Sequence, residues 1–250
     1  MRQQGYFSPV SYPERIVPAE TSPGILALHL KRYEFALRWS DGAVVLDAGC
    51  GVGYGSAYLA RTATRVTGVD RSAEALAYAR EHHSAPNLEF VEADLLELPL
   101  PDASFDVVCA FETIEHLDDA GGFLDECTRV LCPGGTLLVS TPRAERTTHE
   151  PTNPFHRVEL SASDFEKLLR EHFAAVELYG QRRLLTRRHR LLRRLDVLGL
   201  RRRLSLGART SRVLGTAPTA HVNLDGIVIT RDDLAHASEL VAVCTQPLRR

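Results

Sequence analysis

Glu112, Glu115 and His116 lie close together in the run Phe111-Glu112-Thr113-Ile114-Glu115-His116-Leu117. On a turn of helix, the spacing i, i+3, i+4 would put the three side chains on one face. Two carboxylates and an imidazole converging there could hold a hard cation such as Mg²⁺ or Mn²⁺. Such an ion would lower the pKa of a hydroxyl and orient it for attack. Without a metal, His116 could take that proton directly as a general base. His149 and His156 follow downstream, the latter in Asn153-Pro154-Phe155-His156-Arg157-Val158-Glu159. Both are candidate bases, whereas His29, His82, His83, His172 and His221 read as surface or helix residues. The alternative that the Glu-His pair caps a helix or shapes a pocket stands beside these readings.

A second constellation has the character of a ligand cradle. In Val44-Val45-Leu46-Asp47-Ala48-Gly49-Cys50-Gly51-Val52-Gly53-Tyr54-Gly55 a strand-like run enters alternating glycines and then a helix-like stretch. Glycine is needed where the backbone turns left-handed or must approach a ligand without a Cβ. The dinucleotide pattern G-x-G-x-x-G would need glycine where Tyr54 stands, so the turn suits a carboxylate and amine rather than a pyrophosphate. Asp70, followed by Arg71, ends the next strand-like run nineteen residues after Gly51, where a carboxylate can accept ribose hydroxyls. Asp94 and the Leu95 N–H follow the third run and could meet an adenine. Phe111 ends the fourth and offers an apolar surface.

These groups need a scaffold of alternating strands and helices. Thr21-Ser22-Pro23 opens a helix reaching Asp41-Gly42, with a capping hydroxyl and an early proline. Strands are expected at 44–46, 66–69, 88–91, 105–110, 136–140, 176–179 and 226–230, and helices at 55–63, 73–82, 122–130 and 163–173. Short β-branched runs alternating with helices predict a doubly wound α/β sheet, with ligands at the strand C-termini. The long gap before the last strand predicts a helical insertion over 181–220. One domain is expected, with a cap at 1–42, a core at 43–180 and 221–250, and that insertion.

The ordered series Asp47–Gly53, Asp70, Asp94, Ser104-Phe105-Asp106 and Pro133-Gly134-Gly135 resembles the motifs of class I S-adenosylmethionine-dependent methyltransferases. The resemblance implies a seven-strand Rossmann-like sheet. It also implies that S-adenosyl-L-methionine is bound near Asp47, Gly49, Gly51, Asp70, Arg71, Asp94, Leu95 and Phe111. The ExxEH run resembles metal-dependent O-methyltransferases of the ubiquinone-pathway and small-RNA kinds. In the RNA kind a further His after the fifth strand completes the site; His149 and His156 both follow that strand here, and His156 is the implied ligand beside Glu112, Glu115 and His116. Residues 149–181 and Glu14-Arg15-Ile16-Val17-Pro18 are similar to methyltransferases that accompany glycan-building glycosyltransferases. That implies a saccharide hydroxyl as acceptor; the alternatives are a quinone or phenol, or RNA methylation guided by a basic segment.

The net charge of −2 hides an asymmetry: residues 181–212 carry twelve Arg and one Asp, about +11, leaving about −13 elsewhere. Interleaved leucines make this a basic amphipathic stretch. It reads as a cap helix, or as a dock for an anionic or lipid-linked acceptor. Nucleic acid is disfavoured because the stretch lacks aromatics for base stacking. Five cysteines without a CxxC pair, no apolar span of bilayer length and no signal-like N-terminus predict a cytoplasmic enzyme without structural zinc.

Overall fold

The computed structural model describes residues 15–184, 224–232 and 234–248. Helix α1 (Pro23–Ser40) leads into β1 (Val44–Ala48), α2 (Tyr54–Leu59), β2 (Arg65–Asp70), α3 (Ala73–His82), β3 (Leu88–Glu92) and β4 (Phe105–Phe111). A 3-10 turn at Ile114–His116 precedes α4 (Ala120–Val130), β5 (Leu131–Pro142), α5 (Ala162–Arg170), β6 (Phe173–Arg183), β7 (Ile227–Thr230) and β8 (Glu239–Pro247). Local chemistry starts most of the helices. Ser72, Asp119 and Ser161 accept backbone N–H bonds from Ala75, Gly122 and Asp164 at the starts of α3, α4 and α5, satisfying donors that have no partner within the helix. Ser22 makes no such bond at α1, which relies on Pro23.

The sheet has eight strands in the order β3-β2-β1-β4-β5-β8-β6-β7. Strands β3, β2, β1, β4 and β5 are parallel, and β8 runs antiparallel between β5 and β6. Along the central strands, successive side chains enter opposite cores. Leu46, Val108, Leu137 and Ala242 pack with Phe123 of α4 and Phe165 of α5. Val45, Val107, Leu138 and Val243 pack with Tyr33 and Phe35 of α1 and Leu59 of α2. Burial on both faces is why these strands read as continuous apolar runs.

Two expectations are corrected. Among the described residues the sheet has eight strands rather than seven, and residues 226–230, expected as the final strand, form an edge strand paired to β6. The true final strand, β8, lies between β5 and β6, and Leu240–Cys244 at its centre is almost wholly buried. Residues 181–183 of the expected insertion instead belong to β6, where they pair with Ile227–Ile229 of β7. Residues 185–220 of that insertion lie outside the described residues, as do residues 1–14 of the N-terminal cap. Among the described residues all five cysteines are free, and no helix is long and apolar enough to cross a membrane.

The sheet positions a site because its strand order reverses between β1 and β4, opening a crevice beyond their carboxyl ends. Helix α1 closes one side of it by laying Tyr33 against Gly55 of α2. A Cβ on Gly55 would stand 1.9 Å from the Tyr33 ring. Replacing a helical glycine with alanine normally gains up to about 1 kcal/mol. Here Gly55→Ala should instead cost about 1–3 kcal/mol through overpacking, read as a lower urea midpoint at unchanged slope. A raised midpoint would contradict the contact.

Candidate functional site

A cavity of about 800 Å³ lies over the switch point, within the size range of small-molecule sites. Its lining runs from Asp70, Arg71, Asp94 and Leu95 past Gly49, Gly51 and Phe111 to Glu112, Glu115, His116, Asn153 and His156. Gly49, Gly51 and Gly53 have φ of 77°, 55° and 77°, in the left-handed region where glycine is favoured. A Cβ at Gly49 would strike Thr113 Oγ1 at 2.5 Å, whereas one at Gly51 would meet nothing within 4 Å among the described residues. Gly51 thus faces space that a ligand can fill. Asp70 holds the loop from the β2 side, accepting from the Gly51 and Ser72 N–H groups at 2.9 Å each.

Asp47 was expected among the cofactor-binding groups, but it lies beneath the loop and does not line the cavity. Fully buried, it accepts from Ser56 Oγ at 2.6 Å and Tyr33 Oη at 3.2 Å. Burial raises its pKa to about 6, against the opposing pull of those two bonds. Its place in the chemistry is to brace the loop. His149 is exposed on the segment after β5 and is likewise not part of the lining.

The acceptor end departs from the expected helical face. Glu112 has φ of 52° and lies outside the 3-10 turn that carries Glu115 and His116. Its Oε1 accepts from Ser140 Oγ at 2.8 Å, and its Oε2 stands 3.9 Å from Arg32 Nη2. Glu112 is therefore turned towards α1 and β5, whereas ligand atoms of Glu115, His116 and His156 all fall within 4.8 Å of one another. Glu115 is 1% exposed, and among the described residues neither side-chain oxygen has a hydrogen-bond partner. Burial, then the nearby Glu112 carboxylate, holds its pKa well above the usual range.

The two histidines differ in what they leave free. His116 Nδ1 lies 3.0 Å from the Phe155 carbonyl oxygen, which can only accept. Nδ1 therefore carries a proton, and in the neutral ring Nε2 is a lone pair. His156 contacts the Glu159 carboxylate through Nδ1 at 3.0 Å and the Asn153 amide nitrogen through Nε2 at 2.9 Å, so both its nitrogens are engaged. The Glu115 carbonyl accepts from the Arg157 N–H at 2.7 Å, locking this loop to the turn.

Sequence reasoning overlooked the contribution of α1. His29 was expected at the surface or as an ordinary helix residue, but it lines the cavity with Arg15, Ile16 and Tyr33. Arg32, one turn later, is almost entirely buried and donates to Gln181 Oε1. An arginine on the apolar stripe that carries Tyr33, Phe35 and Ala36 was the available signal. His172, also expected at the surface, is buried and paired with Asp125. His221 lies outside the described residues.

Residues 46–139 match a family model described as a methyltransferase domain. A "Probable S-adenosylmethionine-dependent methyltransferase" of Mycolicibacterium smegmatis is 47% identical over 133 residues, 51% of this chain and 50% of that protein. A fatty-acid O-methyltransferase of the same organism is 38% identical over 46% of this chain and 45% of that protein. The chain spans about half the length of the curated relatives it matches. A chain of the complex between the Haloferax volcanii Trm112 methyltransferase activator and a methyltransferase superposes with a TM-score of 0.59. It covers 91% of this chain and 93% of its own length at 22% identity, a likeness of fold alone.

The brace beneath the loop has a pH signature. A carboxyl whose pKa is about 6 folded against an ordinary 3.8 binds its proton more tightly in the native state. Its contribution to stability is therefore lost as pH rises through that window, on the order of 3 kcal/mol in all. Asp47→Asn removes the titration, so the variant should gain on the wild type by that order between pH 4 and pH 6.5 in urea unfolding. A pH-independent difference would contradict the assignment.

Proposed function

With a methyltransferase domain in residues 46–139 as the premise, we propose that this chain transfers a methyl group from S-adenosylmethionine to a hydroxyl oxygen, with His116 as the general base. The observation that carries the base assignment is the Nδ1 contact to the Phe155 carbonyl, which leaves the Nε2 lone pair on the cavity wall. The open space over Gly51 and the Asp70 carboxylate beside it fit an S-adenosyl ligand. The bound sulfonium supplies an electrophilic methyl group. The chain's part is to hold the acceptor oxygen in line with that methyl and take its proton at His116 Nε2 as the new bond forms. Phe155 keeps the ring in the tautomer that can do so.

For the acceptor, the reading is a saccharide or similar polyol. The cavity wall formed by Glu112, Glu115, His116, Asn153 and His156 is dense in hydrogen-bonding groups, which suits several hydroxyls better than an acyl chain or a quinone ring. Cytoplasmic location and an anionic or lipid-linked acceptor at residues 181–220 belong to the same proposal.

A second reading is favoured by one observation, the buried Glu115 carboxyl with both oxygens unpartnered. Groups left so are usually explained by an ion or a water. Glu115, His116 and His156 would hold a divalent cation, with Glu112 outside the set and the Asn153 amide released from His156 Nε2. Two imidazoles and one carboxylate suit Mn²⁺ or another first-row ion better than Mg²⁺, which prefers oxygen ligands. Such an ion would acidify the acceptor hydroxyl.

The test is an acceptor screen with methyl-labelled S-adenosylmethionine across saccharides, quinones, fatty acids and RNA, with and without EDTA. Turnover of a saccharide in EDTA, lost about 10²–10⁴-fold in His116→Ala, is expected. Activity abolished by EDTA and restored by Mn²⁺ would replace the free base with the metal. Turnover confined to fatty acids or quinones would contradict the polyol acceptor.

A further inference from the structure

His29 stands one helical turn before Tyr33 on α1, so the two share a face. Tyr33 belongs to the cofactor end of the cavity: its ring packs on Phe111 at 5.1 Å between centroids, and its hydroxyl reaches Asp47 beneath the glycine loop. His29 lines the same cavity. Arg32 Nη2 lies 2.9 Å from His29 Nδ1. A guanidinium can only donate, so Nδ1 accepts and the single proton of the neutral ring sits at Nε2. Arg32 is itself fixed, donating through Nη1 to Gln181 Oε1 at 3.1 Å, while the Gln181 amide donates to the Leu28 carbonyl at 2.8 Å. Buried groups on α1 and β6, rather than solvent, thus set the tautomer. Burial and then the Arg32 charge hold the His29 pKa well below the usual histidine value, which keeps the ring neutral.

We propose that His29 is a cofactor-binding residue whose Nε2–H donates to an oxygen of the bound S-adenosyl ligand, and that Arg32 is the positioning residue that presents it. The oxygen belongs to the carboxylate of the amino-acid tail or to a ribose hydroxyl. Both are acceptors for a neutral donor. The inference rests on the methyltransferase reading above and adds to it a residue on α1, outside the loop and strand ends that the sequence motifs mark.

Calorimetry on the full chain tests it with two ligands, S-adenosylhomocysteine and 5′-methylthioadenosine, which keeps the adenosine and lacks the amino-acid tail. His29→Phe, with its thermal midpoint close to that of the wild type, should bind S-adenosylhomocysteine about 10-fold more weakly. His29→Gln keeps an N–H near the Nε2 position and should recover most of that loss. If 5′-methylthioadenosine binds His29→Phe as well as it binds the wild type, the oxygen is the carboxylate. Equal loss for both ligands assigns a ribose hydroxyl. Arg32→Gln added to His29→Phe should cause no further loss, because one acts through the other; additive losses would overturn the positioning role. Unaltered affinity for both ligands in His29→Phe would overturn the inference alone. A wild type that binds neither ligand would overturn the methyltransferase reading with it.

Discussion

The Asp47 carboxylate, out of solvent at the end of β1, is the joint on which the ligand cradle depends. It accepts from Tyr33 on α1 and Ser56 on α2, so one side chain ties the leading helix and the helix after the loop to the central strand. Two hydrogen bonds to a charged group contribute about 1.5–3 kcal/mol each, against a desolvation cost of several kcal/mol for the buried ion. Desolvation outweighs the bonds, as the pKa raised to about 6 records. Its worth is therefore geometric more than energetic. With Asp47 fixed, Gly49, Gly51 and Gly53 take their left-handed conformations at a defined height above the sheet, and Asp70 meets the Gly51 N–H from the neighbouring strand.

A second buried charge, Arg32 on the same helix, organises the α1 side of the cavity. Arg32 is surrounded by Gln181, His29 and Glu112, and its charge also reaches Glu239 at the start of β8. Removing one partner from such a cluster leaves another buried and uncompensated, so α1, the end of β4 and the antiparallel strands are coupled through it. Glu112 adopts its left-handed conformation inside this cluster, an arrangement that costs of order 1–3 kcal/mol and collects at functional sites. The turn that follows carries Glu115 and His116 onto the cavity wall. Cradle and base are thereby set by two buried polar joints on the same helix, one around Tyr33 and one around Arg32.

The parallel half of the sheet and the glycine loop were legible in the sequence because local rules agreed there. β-branched runs, capping residues and glycines at left-handed positions all pointed to one answer. The antiparallel half was not. β8 is a short apolar run whose strand character depends on neighbours far away in sequence, and 226–230 offered a plausible final strand in its place. The helical face expected for Glu112, Glu115 and His116 failed for a similar reason. Periodicity assumed a continuing helix, whereas Ser140 and Arg32, remote in sequence, pull Glu112 out of it. His29 was passed over because a lone histidine on a helix carries no local signal. Only the packing of α1 over the crevice gives it a role.

The most direct test of the central claim, that an S-adenosyl ligand fills the space over the glycine loop, is calorimetric titration of S-adenosylmethionine into the wild type and Gly51→Val. A valine there faces open cavity at a φ of 55° and would strike no protein atom within 4 Å at its Cβ. The account predicts one-to-one binding by the wild type and at least a hundredfold weaker binding by a folded variant. Equal affinity in the two proteins would contradict it.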